Sequence, residues 1–497
     1  MEWTTEKRYQ KYNEWDAEYL LDLQSQTDRS KYQLNYHIRP SSGLLNDPNG
    51  FSYYDGKWHV FYQQYPFGAV HGLKSWHHMQ SNDLVHWRDM GLAIKPDSPL
   101  DSHGAYSGSA MAINDQLFLM YTGNVRDENW IRHPYQNGAW MNQNGEVTKL
   151  KKPLFTAPDH VTEHFRDPQI LKHGDKYYAI LGAQDKQTKT GKISLFATTD
   201  LTGNWQDKGY IDFTNKEMGY MIECPNLVFI DDQPVLIFCP QGLSKEVTSY
   251  DNIYPNMYVI GERFKFSSGK FTTNQENPIN LDDGFDVYAS QAFNGPDGKV
   301  YMISWVGLPD VSYPTDSEGW ANCLSQVKEL SLKNGRLIQQ PVNAIRNLRK
   351  AGQLVRTERM IDKRQVITGH AGQQYELKLT IAKNQKGTLH LAGNHTVDES
   401  LQIKFATGKD AFLEVDRSKA GINFNEEYGN TRKIQLPQGA ELNLDIFIDH
   451  SLAEIFINNG EHVMTLRYFA NQENDKIALT SESGVDYYGT YWELTNM

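Results

Sequence analysis

The chain has 497 residues, which is too long for one ordinary hydrophobic core, so two domains are expected. Its formal net charge of −12 at pH 7 argues against general nucleic-acid binding, because phosphate neutralisation needs clustered Lys and Arg. No apolar run approaches the length of a membrane span, no apolar stretch follows the first eight residues, and the three cysteines lack paired spacing. These features predict a cytoplasmic protein with no membrane partner, no disulfide framework and no zinc site.

The first predicted element is helical. Five apolar residues recur at spacings of three or four with charges between them: Tyr9, Tyr12, Trp15, Tyr19 and Leu23. This periodicity predicts a helix over residues 5–29 that packs against a neighbouring surface. We therefore treat residues 1–31 as an N-terminal helical segment.

A short pattern then returns five times, about 56 to 65 residues apart. In each copy a polar or acidic residue opens a β-type run, a tight turn follows, and a second aromatic-rich run comes after it. The copies open at Asp47, Ser107, Asp167, Glu223 and Tyr288. Repeats of this length with hairpin signals are typical of β-propeller blades, with chance similarity or a β-sandwich as the alternatives. We predict a five-bladed β-propeller over residues 32–349.

Three of the repeats open with a carboxylate. If the opening residues occupy equivalent positions, Asp47, Asp167 and Glu223 converge on one end of the central axis. Taken singly, an Asp before Pro is usually a turn residue and a Glu on a strand is usually exposed. Together they indicate a glycoside hydrolase, which generally needs one ionised and one protonated carboxyl group.

The local sequence predicts different environments for two of these carboxyl groups. Asp47 stands between Asn46 and Pro48-Asn49, polar and turn-forming neighbours that favour an ionised carboxylate and hence a nucleophile. Glu223 lies between Ile222 and Cys224, an apolar setting that we expect to raise its pKa. A raised pKa is what a general acid requires at neutral pH.

The third carboxyl group follows a cation. Asp167 comes directly after Arg166, but side chains alternate along a strand, so the two need not touch. A persistently ionised Asp167 could hold sugar hydroxyls and stabilise positive charge in a transition state. This reading leaves Asp167 as a binding group rather than an acid or a nucleophile.

After residue 349 the pattern changes to short alternating strands separated by Gly, Asn and Asp turns. The predicted strands are residues 375–385, 401–406, 411–416, 442–448, 452–458 and 462–469. The clearest hairpin joins Leu444–Ile448 to Ala453–Ile457. Many short strands in so few residues indicate a β-sandwich over residues 350–497.

Several motifs resemble one known family. They are Tyr36–Pro40, Gly43–Gly50, Arg166–Pro168 and Glu223–Pro225, with further matching segments up to Phe447–Ser451. This combination resembles glycoside hydrolase family 32, which contains invertases, sucrose-6-phosphate hydrolases and fructan hydrolases, and the resemblance spans nearly the whole chain. It implies a five-bladed propeller that carries the active site, a C-terminal β-sandwich and a retaining mechanism on β-fructofuranosides.

The resemblance also assigns residues. It implies that Asp47 is the nucleophile, that Glu223 is the acid and base, and that Asp167 stabilises the transition state. The fructose pocket would be completed by residues able to hydrogen-bond or to stack on a sugar: Asn46, Gln63, Trp76, Ser107 and Arg166. No metal and no organic cofactor is implied.

The function implied is hydrolysis of sucrose 6-phosphate, and of sucrose, to fructose and the corresponding glucose. An invertase or a hydrolase of short fructo-oligosaccharides without phosphate preference is the alternative, followed by a fructosyltransferase and a non-catalytic carbohydrate-binding propeller. The partner is a small-molecule sugar, and the sequence leaves a homodimer open. Five cationic or titratable loop residues are candidates for a phosphate, although a solvated surface charge is the simpler reading of each: His71, Lys74, Arg126, Arg132 and His133.

Overall fold

The computed structural model describes residues 2–497 and is built almost entirely of β-strands. Its α-helices, α1 (Thr5–Arg8) and α2 (Ala17–Asp28), lie at the N-terminus, and short 3₁₀ turns lie at Tyr12–Glu14, Pro314–Glu318, Asn343–Leu348 and Glu426–Tyr428. Within residues 2–497, none of the helices has the length and the hydropathy that a membrane crossing requires. The all-β fold predicted from the sequence is confirmed.

The continuous N-terminal helix predicted over residues 5–29 is wrong. The chain breaks between α1 and α2 because each helix begins at its own cap: the Thr4 side chain accepts the Lys7 N–H, and Asp16 accepts the Glu18 N–H. The predicted packing is nevertheless present. The ring of Trp15 stacks on Phe67 with centroids 4.5 Å apart, so the segment is held against the body of the protein by aromatic contacts.

Residues 43–341 form several antiparallel sheets. Their strands are β1 (Gly43–Tyr54), β2 (Lys57–Tyr65), β3 (Ser75–Ser81), β4 (Trp87–Ile94), β5 (Ala105–Ile113), β6 (Gln116–Arg126), β7 (Arg132–Met141), β8 (Val147–Lys149), β9 (Phe155–Thr156), β10 (Val161–His173), β11 (Lys176–Asp185), β12 (Gly191–Thr198), β13 (Gln206–Tyr210), β14 (Met221–Ile230), β15 (Gln233–Gln241), β16 (Met257–Ile260), β17 (Arg263–Lys265), β18 (Lys270–Thr272), β19 (Ile279–Asn280), β20 (Val287–Asn294), β21 (Val300–Val306), β22 (Trp320–Ala321), β23 (Cys323–Leu324), β24 (Lys328–Lys333) and β25 (Arg336–Pro341).

These strands form a ring of sheets. The sheet orders are β22-β1-β2-β3-β4, β5-β6-β7-β8 with β9 beside β7, β10-β11-β12-β13, β14-β15-β16-β19, and β20-β21-β24-β25 with β23 beside β21; β17 and β18 form a separate ribbon. The first strand of each sheet in chain order is β1, β5, β10, β14 or β20. Each of these strands contacts the next, and β20 returns to contact β1. Residues from β1, β5, β10, β14 and β20 line a narrow central cavity. The sheets therefore surround one axis, as in a β-propeller.

Polar side chains on these first strands tie each sheet to its neighbour. Each of the following residues hydrogen-bonds to the next first strand around the ring: Asn49, Ser109, Gln169, Asn226 and Gln291. Because all of them are buried, their hydrogen bonds satisfy polar groups that would otherwise be costly beside the axis. The central strands are thus fixed against one another where they line the cavity.

The C-terminal region contains two six-stranded sheets that enclose a separate apolar core. Its strands are β26 (Gln353–Arg356), β27 (Arg364–Thr368), β28 (Gln374–Ile381), β29 (Lys386–Gly393), β30 (Leu401–Ala406), β31 (Phe412–Asp416), β32 (Thr431–Gln435), β33 (Leu442–Asp449), β34 (Leu452–Ile457), β35 (His462–Arg467), β36 (Lys476–Thr480) and β37 (Tyr487–Glu493). Each predicted strand of this region overlaps one of these. The predicted hairpin between residues 444–448 and 453–457 is confirmed as β33 and β34.

A buried ionic cluster joins the two regions. The His37 ring contacts Asp449 through Nδ1 at 2.9 Å and Glu454 through Nε2 at 3.1 Å, and Lys328 lies 3.4 Å from the other oxygen of Glu454. Burial alone lowers the pKa of His37, but the hydrogen bonds and charges of the two carboxylates outweigh it and raise the pKa to about 9. These buried contacts hold the C-terminal region against the ring of sheets.

Candidate active site

The first strand of every sheet in the ring carries a β-bulge at the same place. In each, two residues lie opposite a single residue of the neighbouring strand. These bulge pairs are Asn46-Asp47, Tyr106-Ser107, Asp167-Pro168, Cys224-Pro225 and Ala289-Ser290. A bulge bends the strand and redirects its side chains, so the five bulge pairs come together at one end of the axis.

The three carboxylates do not occupy equivalent positions in these bulges. Asp47 is the second bulge residue of β1, Asp167 is the first of β10, and Glu223 comes just before the bulge of β14. The equivalence assumed from the sequence is therefore wrong, because the extra residue lies at a different offset from each acidic side chain. The convergence of Asp47 and Asp167 is confirmed by contact, since Cys224 Sγ lies 3.7 Å from Asp47 Oδ2 and 3.6 Å from Asp167 Oδ2. Glu223 comes directly before Cys224, and its charge raises the pKa of both aspartates.

Asp47 is held by three side-chain donors. Asn46 Nδ2 donates to Oδ1 at 3.1 Å, and both Gln63 Nε2 (3.2 Å) and the Ser107 hydroxyl donate to Oδ2. Burial and the charge of Glu223 raise the pKa of Asp47, whereas the Ser107 and Asn46 hydrogen bonds act in the opposite direction. The polar setting predicted for Asp47 is present, but burial opposes its ionisation.

Lys74 also belongs to this site. It is 3% exposed, and its ammonium donates to Asn46 Oδ1, so it is not the solvated loop charge that the sequence suggested. Its burial lowers the pKa to about 7, against the opposing attraction of Asp47. Where it is charged, Lys74 lowers the pKa of Asp47. Its sequence neighbours gave no sign of this role.

Asp167 has a strained backbone and a buried carboxylate. Its φ of +67° is rare for a residue with a side chain, and the strand tolerates it as the first residue of a bulge. Oδ2 accepts the Cys224 backbone N–H at 3.1 Å. Burial raises the pKa of Asp167 to about 7, against Arg166 and with the help of Glu223 and Asp47, so the persistently ionised Asp167 expected from the sequence is not what the structure gives.

Glu223 lies in a polar setting. Arg166 donates to Oε1 from Nε at 2.9 Å and from Nη2 at 2.7 Å, and the Tyr288 hydroxyl donates to Oε2 at 2.7 Å. The apolar environment predicted from Ile222 and Cys224 is wrong, because neighbours along a strand face away from the carboxylate while residues of adjacent sheets face it. Arg166, Glu223 and Tyr288 each precede their own bulge, which is why they meet.

Trp76 was expected to line the sugar pocket, but the structure gives it a supporting place. The side chain is fully buried, and its indole N–H donates to the Tyr106 carbonyl at 2.9 Å. This leaves no ring face free for a sugar. Trp76 instead fixes the backbone of the bulge that carries Ser107.

The residues that could hold a metal are Asp47, Asp167 and Cys224. Their ligand atoms lie within 4.8 Å of one another, which marks them as such a group among residues 2–497. A thiol binds a metal as the thiolate, and burial together with both aspartates raises the pKa of Cys224 well above its ordinary value. The donor set therefore fits a neutral thiol that donates weakly to two carboxylates better than it fits a metal ligand.

Tyr288 is a site residue that opens the fifth copy of the repeat but that the sequence motifs did not assign to the site. Its signal was available, because it opens the fifth copy of the pattern, where three other copies open with acids. Its ring lies near Trp305, with centroids 6.1 Å apart. For Tyr288, the position in the repeat indicates a place in the site, although the side chain carries no charge.

Comparisons with known proteins agree with this geometry. A family model described as "Glycosyl hydrolases family 32 N-terminal domain" matches residues 37–341, and one described as "Glycosyl hydrolases family 32 C terminal" matches residues 344–493. A sucrose-6-phosphate hydrolase of Streptococcus mutans is 47% identical over 98% of this chain and 98% of its own. One of Pediococcus pentosaceus is 45% identical over 99% of this chain and 97% of its own. The solved structure of a sucrose-6-phosphate hydrolase from Lactobacillus gasseri superimposes with a TM-score of 0.97 at 56% identity, with 100% of both chains covered.

Proposed function

We propose that this chain, which belongs to glycoside hydrolase family 32, hydrolyses sucrose 6-phosphate to glucose 6-phosphate and fructose. The chain is a glycoside hydrolase, and its full-length relatives are named for this reaction. The observation that carries the proposal is the meeting of Asp47, Asp167 and Glu223 at the bulges of three strands around one axis, each held by groups of a neighbouring strand.

In this proposal Asp47 attacks the anomeric carbon of fructose. Its two oxygens accept hydrogen bonds from Asn46, Gln63 and Ser107, which orient the carboxylate and favour its ionised form. Attack forms a covalent fructosyl-enzyme ester as the bond to the glucose oxygen breaks. Water then cleaves the ester, so the configuration at the anomeric carbon is retained.

Glu223 gives a proton to the leaving glucose oxygen and then takes one from the attacking water. Arg166 and Tyr288 hold its two oxygens from opposite sides and so fix its direction. Asp167 binds fructose hydroxyls and stabilises the positive charge that develops on the sugar ring. Its raised pKa suits a carboxyl group that can both donate to and accept from a hydroxyl at neutral pH.

We also propose the larger organisation that this reaction uses. The five sheets around the axis act as five blades over residues 32–349, and residues 350–497 form a sandwich that supports them. The closed ring of contacts and the buried cluster at His37 support this division. A phosphorylated sugar as substrate favours a cytoplasmic location.

The experiment that tests the function compares kcat/KM on sucrose 6-phosphate and on sucrose, in the wild type and in Asp47→Ala. We expect a preference for the phosphorylated sugar and a loss of at least about 10⁴-fold in the variant, as for other catalytic nucleophiles. Asp175→Ala, which changes an exposed turn residue, is the matched control.

Three other outcomes carry different conclusions. Equal turnover of the two sugars would move the protein to the invertases or fructo-oligosaccharide hydrolases. Oligosaccharide formation at high sucrose would mark a fructosyltransferase. Undiminished activity of Asp47→Ala would show that the carboxylate assignment is wrong.

A further inference from the structure

Two arginines face each other beside the active site. Arg126 ends β6 and Arg132 begins β7, and the two are directly paired across the hairpin. Like charges at directly opposed positions destabilise a sheet unless something neutralises them. A pair of arginines in this position is expected to have a negative charge nearby.

The protein supplies no such counter-charge. The Nε atoms of both Arg126 and Arg132 are buried without a hydrogen-bond partner, and no carboxylate of residues 2–497 lies within 4.0 Å of either guanidinium. The nearest acid in sequence, Asp127, is occupied by His133 Nε2 at 2.9 Å and by the Ile131 N–H. Buried donors without a partner are costly, which is typical of a site that awaits an anion.

Aromatic side chains surround this pair. The rings of Tyr9 and His103 both lie against Trp130, with centroids 5.2 and 5.4 Å apart, and the Arg126 guanidinium lies 5.5 Å from the Trp130 ring. Tyr9 comes from the N-terminal segment, so that segment completes one wall. Arg126, which also donates from Nη1 to the Trp130 carbonyl at 2.9 Å, is therefore fixed in position, and the Nε of Arg132 is buried on the neighbouring strand.

The pair lies on a hairpin that contacts the active site, because Arg126 ends the strand whose Thr122 hydroxyl accepts the Asp167 N–H at 3.1 Å. Arg166, which binds Glu223, also donates from Nη1 to His164 at 3.2 Å. Burial lowers the pKa of Arg132, and the charges of Arg166 and Arg126 act in the same direction, so these three cations lie in one electrostatic neighbourhood. The hairpin of β6 and β7 therefore carries both a contact to Asp167 and the two opposed arginines.

We propose that Arg126 and Arg132 form the subsite for the phosphate group on the glucose of the substrate. The inference rests on the proposed function and adds the residues that recognise the phosphate. A phosphate dianion accepts charge-assisted hydrogen bonds from paired guanidiniums, and it would satisfy the unpartnered donors and remove the repulsion between them.

The remaining candidates from the sequence are otherwise engaged. Lys74 is bound to Asn46, and His133 is bound to Asp127. Burial lowers the pKa of His71 well below its ordinary value, so this ring is uncharged at neutral pH. The two opposed arginines are what remains of the original five.

The test measures kcat/KM on sucrose 6-phosphate and on sucrose for Arg126→Gln, Arg132→Gln and the double variant. Since a charge-assisted hydrogen bond contributes about 10- to 100-fold, we expect the ratio of the two values to fall by about that factor in each single variant. Arg88→Gln removes an exposed arginine from β4 and should leave the ratio unchanged.

A second readout uses glucose 6-phosphate as an inhibitor of sucrose hydrolysis. Its inhibition constant should rise about 10- to 100-fold in Arg132→Gln, while that of unphosphorylated glucose stays the same. If the wild type shows no preference for sucrose 6-phosphate, the proposed function and this subsite both fail. If the wild type prefers it and the variants keep both the preference and the glucose 6-phosphate inhibition, the subsite alone is overturned.

Discussion

Arg166 donates two hydrogen bonds to the same oxygen of Glu223, from Nε at 2.9 Å and from Nη2 at 2.7 Å. Burial alone would lower the pKa of Arg166, but the charges of Glu223 and Asp167 outweigh it and raise the pKa. Arg166 is thus a permanent cation between two carboxylates. Its role depends on a planar fork as well as on charge, because both nitrogens reach one oxygen.

Arg166→Lys separates fork geometry from charge. A lysine keeps the positive charge but cannot supply two donors in one plane, so Glu223 loses its fixed direction. We expect kcat on sucrose to fall by about 10- to 100-fold, measured by initial rates at saturating sugar. Arg88→Lys, the same change at an exposed position, should have no effect. A kcat within threefold of wild type in Arg166→Lys would show that charge alone suffices.

Lys74→Met tests the buried ammonium beside Asp47. The charge of Lys74 lowers the pKa of Asp47, and it is present below pH about 7 because burial lowers the lysine's own pKa to about 7. Its loss should shift the acid limb of the kcat/KM profile to higher pH by about one unit. Lys95→Met changes an exposed lysine and serves as the control. An unmoved acid limb would contradict the coupling.

Asp167→Asn tests the cost of the buried carboxyl group. Its folded pKa is raised to about 7, so its contribution to stability is present below pH about 4 and is lost as the pH rises through about 7. The variant should therefore be more stable than wild type at pH 8 by roughly 4 kcal/mol, with a difference that vanishes near pH 4. Urea unfolding across this range measures it, with the exposed Asp175→Asn as reference. Activity should fall sharply in the same variant.

His37→Gln tests the buried ionic cluster between the ring of sheets and the C-terminal region. Because the folded pKa of His37 is raised to about 9, its stabilisation is fully present below pH about 6.5 and is lost as the pH rises through 9. Removing one member of a buried ionic cluster should cost about 3 kcal/mol or more at pH 6, and less at pH 9.5. Thermal unfolding at several pH values gives the comparison. A cost that stays constant across the range would rule out the charged histidine.

The repeat and the three carboxylates could be predicted from the sequence because they depend on local patterns. Asp47, Asp167 and Glu223 each stand in a short motif with a fixed neighbour. Their positions relative to the bulges could not be predicted from the sequence, since a bulge is defined by the register against a second strand. The same limit applies to Lys74, whose burial depends on side chains from β1 rather than on its own neighbours.

The N-terminal helix shows a different kind of error. The spacing of the aromatic residues correctly predicts a face that packs against the protein, but it predicts one helix where the structure has two. Asp16, followed by Glu18 in the first turn of α2, is an ordinary helix start that the periodicity obscured. Capping residues would have placed this boundary better than the apolar spacing did.

In β5 the bulge lies at the beginning of the strand, whereas the hairpin turn that follows lies at its other end. From Ser107 to the turn at Asn114 the strand runs seven residues, or roughly 20 Å. The active-site residue Ser107 and the hairpin turn thus lie at opposite ends of the same strand. A fluorophore, an affinity tag or an immobilisation linker can be inserted at such turns with the reactive end left open to sugar.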